Sequence, residues 1–77
     1  MIHTLEDLPY GSAAVLDDLA LPPDDAARLM ELGFLPGTRV VAMRAAPGGD
    51  PRVFRVDGAD IALRRETARL LRVHPGS

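Results

Sequence analysis

Residues 27–65 read ARLMELGFLPGTRVVAMRAAPGGDPRVFRVDGADIALRR. A short helix, a glycine stop and three strand-like runs follow one another here, divided by turns. The helix begins just upstream, in PPDDAARLMELG. Pro23 suits a first helical position, and Asp24 and Asp25 suit the positive end of the helix dipole. Ala26, Leu29 and Met30 fall at i, i+3 and i+4, with Leu32 extending the stripe, which predicts a helix over about 23–32 with Met30 turned to the core. Gly33 is placed to take the left-handed conformation that ends a helix, and Phe34 to fold back as the hydrophobic contact of that cap.

The turns beyond the helix set the strands. Leu35-Pro36-Gly37-Thr38 carries proline and glycine at the two central positions that a type II turn demands. In TRVVAMRA both alternating sets are apolar, Val40 and Ala42 on one and Val41 and Met43 on the other. Such a strand meets a core on one side and a helix or partner on the other. APGGDP breaks it, since Pro47 and Pro51 cannot donate to a ladder. RVFRVDGADIAL then reads as a hairpin, with Asp57-Gly58 as a two-residue type I′ loop between Phe54, Val56, Ile61 and Leu63.

Outward from this centre, SAAVLDDLAL is a first strand, its run of Ala13, Ala14, Val15 and Leu16 fitting cover on both faces. In TLEDLPYG, Thr4 caps a single helical turn, with Asp7 three residues on as the reciprocal partner. RRETARLL forms a short helical turn and LLRVH a last strand. The expectation is a mainly β domain over residues 1–77. Its five strands form a small barrel with one helix inserted after the first strand, the first and last strands pairing antiparallel.

Composition limits the function. A chain of 77 residues holds one domain and one core. Its nine basic residues are all arginine against eleven acids, for a net charge of −2. Nucleic acid is therefore not an expected partner, because phosphate neutralisation needs a basic surplus. The N-terminus lacks a signal-peptide pattern and no apolar run approaches the roughly 20 residues of a membrane span, so a cytoplasmic location is expected. There is no cysteine, the serines are Ser12 and Ser77 only, and the histidines lie near the termini, so no nucleophilic constellation forms and no enzyme is expected. Without lysine a P-loop is excluded.

The joint order of RLMELGFLPGTRV, AAPGGDP and VDGADIALRRETARLLRV resembles the FeoA family of small proteins from bacterial ferrous iron uptake. The features that carry the likeness are Leu32-Gly33, Pro36-Gly37, the loop Pro47 to Pro51, Leu63-Arg64, Glu66 with Ala68, and Leu71 to Val73. The doubled PGG of the loop departs from the family, which more often has one bulky residue beside the glycine. The resemblance implies an SH3-like barrel with no catalysis and no required cofactor. It implies an accessory role, docking on the cytosolic part of FeoB, a membrane transporter for ferrous iron with a GTP-binding domain. A second reading is a metal-responsive regulatory module, because the same SH3-like domain closes repressors of the diphtheria-toxin-repressor type.

Candidate site residues follow from both lines. Arg52 and Arg55 flank Val53 and Phe54, and Arg64 stands at the leucine-arginine step; these are candidates for a docking edge, since arginine forks onto carboxylate and carbonyl groups. Phe34 and Leu35 either plug the barrel end or form an apolar patch for a partner or a second copy, and a homo-oligomer through an edge strand stays open. His3 and Asp7, with His74 brought near by the strand pairing, are candidates for weak binding of Fe2+ or Zn2+.

Overall fold

The computed structural model describes residues 1–76. A 3-10 turn at Leu5–Asp7 opens the chain, followed by β1 (Ala13–Leu19), α1 (Pro23–Glu31), β2 (Arg39–Ala45), β3 (Arg52–Val56), β4 (Ala59–Leu63), the four-residue α2 (Arg65–Ala68) and β5 (Leu71–Pro75). The opening turn forms through the expected capping box. The Asp7 carboxylate accepts the backbone N–H groups of His3 and Thr4, each at 3.0 Å, which turns Leu5 and Leu8 into the core.

Turn chemistry sets the rest. α1 stops in a Schellman motif: Phe34 N–H donates to the Leu29 carbonyl at 3.1 Å and Gly33 N–H to that of Met30 at 3.0 Å. Gly33 sits at φ +112°, a conformation costly for any residue with a Cβ. Thr38 N–H closes the Leu35–Thr38 turn at 3.0 Å. Asp57 and Gly58 both take positive φ, as a type I′ loop requires, and Val56 lies opposite Ala59.

The strands form one antiparallel sheet in the order β4-β3-β2-β1-β5. The first and last strands pair as expected, with Val15 opposite His74 and Leu16 opposite Val73. Register shifts between Leu16 and Asp18 and between Ala42 and Arg44 bend the strands around the core. That core is built from Leu5, Leu8, Leu16, Phe34, Phe54, Leu63 and Leu71, with smaller neighbours from β1, β2, β3 and β5.

Two expectations need correction. The sheet is not closed into a barrel, because β4 and β5 remain separate edges. The outer side of β5 is taken by the N-terminal segment instead: Val73 N–H donates to the His3 carbonyl at 2.9 Å, and Thr4 bridges to Arg72. Nor is Met30 a core residue; it is 38% exposed. The nine-residue α1 rests on the sheet along a narrow stripe of Leu29 with half-buried Ala26, and Met30 lies about 100° further round the axis.

Candidate partner-docking face

Of the arginines expected at a docking edge, Arg52 is the exception. It shares the inner face of β3 with Phe54 and Val56 and is only 7% exposed. Its Nη1 donates to the carbonyls of Leu5 at 3.3 Å and Glu6 at 3.0 Å, and its Nη2 to that of Leu8 at 2.6 Å. The guanidinium also lies over the rings of Tyr10, 4.6 Å from the centroid, and Phe54, at 5.2 Å. A 3-10 turn leaves carbonyls without internal partners; Arg52 serves those of Glu6 and Leu8 and adds a second donor to that of Leu5, which already accepts the Leu8 N–H at 3.2 Å. Its charge is committed to the interior, so it offers nothing to a partner. Phe34 is likewise withdrawn, fully buried as the cap contact of α1.

Arg55 stays on the surface but is occupied. Its cross-strand neighbour Asp60 takes Nε on Oδ1 at 2.8 Å and Nη2 on Oδ2 at 3.3 Å, with Arg44 adding a contact at 3.4 Å. The Arg55 hydrogen bond holds the Asp60 carboxyl below its ordinary value, and the same bond raises Arg55. Arg72 pairs with Asp18 in the same two-bonded manner, at 2.7 and 2.9 Å, while Arg65 and Arg69 share Glu6 at 3.8 and 3.6 Å. Such exposed pairs stabilise little.

The proposed metal ligands are not gathered. The described residues contain no group of three or more histidine, aspartate or glutamate side chains placed to hold a metal ion. Asp7 directs its carboxylate to the amides of His3 and Thr4, the first of which is the main cause of its lowered pKa. His74 turns to Asp17, with Nδ1 2.5 Å from Oδ1. The antiparallel pairing does bring β5 against the N-terminal backbone, but His3 joins through its backbone N–H and carbonyl while the His74 ring turns to Asp17.

An open groove lies between α1 and the end of β4. Leu21, Asp25, Arg28 and Leu29 line one wall, from α1 and the segment just before it; Ala62, Leu63, Arg64 and Thr67 line the other, and the space between is about 360 Å³. Asp25, Arg28 and Leu29 share a helix face by their spacing. Among the described residues, neither Arg28 nor Arg64 makes an ion pair or a side-chain hydrogen bond, whereas Arg44, Arg55, Arg65, Arg69 and Arg72 all do. Past Arg28, the same end of α1 carries Leu32 and leads to Leu35, each 47% exposed. Arg64 and Leu35 are thus the two expected docking residues that the fold leaves available. Neither Arg28 nor the groove has a direct sign in the sequence. Arg28 reads as an ordinary solvated helix residue, and the groove exists only where α1 meets the far end of a hairpin.

The FeoA domain family matches residues 3–75. Among solved structures, the FeoA protein of Chlorobium tepidum is 32% identical with a TM-score of 0.90, over 96% of this chain and 70% of its own. Iron(II) transport protein A of Clostridium thermocellum is 30% identical with a TM-score of 0.87, over 94% of this chain and 44% of its own, so this chain spans less than half of that relative. The zinc-complexed FeoA of Stenotrophomonas maltophilia, described as a procaryotic SH3 domain protein, is 36% identical with a TM-score of 0.78, over 91% and 87%. No curated protein sequence matches the chain. With the capped helix, the type II turn and the five-stranded sheet all present in one matching span, the chain belongs to the FeoA family, which is linked to ferrous iron transport.

Proposed function

We propose that this chain is an accessory protein of ferrous iron uptake that docks on the cytosolic part of a FeoB-type transporter and supports Fe(II) import. The observation that carries the reading is the pair of uncommitted arginines, Arg28 and Arg64, beside an open groove whose helical wall continues to exposed Leu32 and Leu35. Free guanidinium groups next to apolar surface suit recognition of a protein that presents carboxylates and apolar side chains together. Family membership supplies the transport context. Of the remaining surface arginines, Arg44, Arg55, Arg65, Arg69 and Arg72 are held by acids of the same chain, and exposed Arg39 at the start of β2 does not line the groove.

The test is a pull-down against the cytosolic domain of the FeoB-type transporter from the same organism, with and without guanine nucleotide. Capture by the wild-type chain that weakens on Arg64→Ala, in a variant with an unchanged urea midpoint, supports the reading. Equal capture by wild type and Arg64→Ala removes this face from consideration, and no capture in any nucleotide state rejects the docking role.

A further inference from the structure

We infer that the partner docks by strand addition: an extended segment of the transporter pairs with the open edge of β4 and lies in the groove against α1. The inference rests on the docking reading above and names its geometry.

The two edges of the sheet are treated differently. β5 is covered by the chain's own N-terminal segment through His3 and Thr4, while among the described residues β4 has no neighbour beyond β3. A two-residue hairpin loop closes on a hydrogen-bonded pair, here Val56 and Ala59, and bonded and non-bonded pairs then alternate along the ladder. Phe54–Ile61 and Arg52–Leu63 are therefore also bonded pairs. Asp60 and Ala62 fall between them, so their N–H and C=O groups point away from β3. Among the described residues, no backbone hydrogen bond from a loop or turn reaches either one. A bare edge of this kind is a template for another strand.

The groove fits one added strand. Ala62 lines it and carries only a methyl group, too small to block an approaching backbone. An extended segment alternates its side chains between two faces. On the inner face they would meet Leu21, Leu29 and Leu63, an apolar floor; at the end of the edge they would meet Arg64, with Arg28 across the groove. The segment that fits therefore carries an apolar residue and a carboxylate, either an acidic side chain or a free C-terminus. Main-chain pairing supplies affinity and the two side-chain contacts supply selection.

The experiment uses the full chain and the detergent-solubilised FeoB-type transporter from the same organism. Ala62→Pro removes an outward N–H that the monomer does not use and places a proline where an edge strand accepts one. The expected result is unchanged urea stability with capture weakened about tenfold or more, the loss of one to two backbone hydrogen bonds. Capture equal to wild type overturns strand addition while leaving the docking role standing. No capture by wild type overturns both. Should the proline unfold the hairpin, hydrogen exchange in the wild-type chain decides: added transporter must protect the Asp60 and Ala62 amides, and unchanged exchange there refutes the inference. Light scattering supplies a further check, since wild-type self-association abolished by Ala62→Pro would assign the edge to a second copy and overturn the transporter segment as its occupant.

Discussion

Replacing Arg52 with methionine tests how the N-terminal turn is held. The substitution keeps an unbranched apolar stem beside Phe54 and removes the guanidinium that serves the Leu5, Glu6 and Leu8 carbonyls. Hydrogen bonds from a charged donor contribute about 1.5–3 kcal/mol each. The low end applies, because Nη1 is shared between two carbonyls, so three bonds give roughly 4.5 kcal/mol. Against this stands a cost of about 1–2 kcal/mol for burying Nε, which has no partner. The net loss expected for Arg52→Met is about 3 kcal/mol, set against a total of about 4–11 kcal/mol for a domain of this length. Urea denaturation should show the midpoint falling by about 2–3 M at an unchanged slope of about 1 kcal/mol/M. Arg52→Lys should recover part of the loss, since an ammonium reaches fewer of the three carbonyls than a planar fork. A loss below about 1 kcal/mol for Arg52→Met would mean that the carbonyls find water as readily as they find Arg52, and the clamp argument would be wrong.

Three further outcomes are expected. Phe34→Ala should cost about 3–5 kcal/mol and leave the chain largely unfolded, whereas neighbouring Leu35→Ala should stay within about 0.5 kcal/mol by thermal melting. Gly33→Ala has room for its Cβ, the nearest atoms lying 3.6 Å or more away, but must hold φ near +112°; a loss of at least about 1–2 kcal/mol in the same melts is expected from the backbone alone. Asp7 has a folded pKa below its ordinary 3.8, chiefly through the His3 amide. Its contribution is therefore complete above that value and is lost as pH falls through the lowered folded pKa. Wild type should exceed Asp7→Ala by about 1 kcal/mol in urea melts at pH 6, and the gap should close as the medium is acidified below about pH 4.

Most of the fold was legible because each boundary is marked by residues with one conformational use. Gly33 ends the helix, Pro36-Gly37 makes the turn, Asp57-Gly58 makes the hairpin, and Thr4 with Asp7 makes the first cap; all four are present. Closure of the barrel was not legible. It depends on which segment reaches the outer side of β5 first, and nothing in His3 or Thr4 announces that their backbone takes that place. Arg52 shows a different limit. Period-2 alternation in RVFRV already sets Arg52 on the side of Phe54 and Val56, opposite Arg55. The alternation indicated an inward arginine, but the three carbonyls that make one tolerable lie more than forty positions earlier in the chain. Leu35 and Arg64 were accessible to reading as surface residues; the groove that gives Arg64 a setting is a product of tertiary packing.

Placing the N-terminal turn on the last strand has a consequence for how the molecule is made. Thr4 bridges Arg72, and β1 finds its second partner in β5, with Asp18 and Arg72 54 residues apart in sequence. Leu5 and Leu8 are synthesised more than sixty residues ahead of the strand that they finally sit against. The hairpin of β3 and β4 needs only its own turn and can form early, but the sheet cannot be completed until β5 has been made. Folding should therefore be a single late event dominated by long-range pairing, slow for so short a chain. Removing either terminus by a handful of residues should abolish the whole cooperative unit, where a locally assembled domain would only fray.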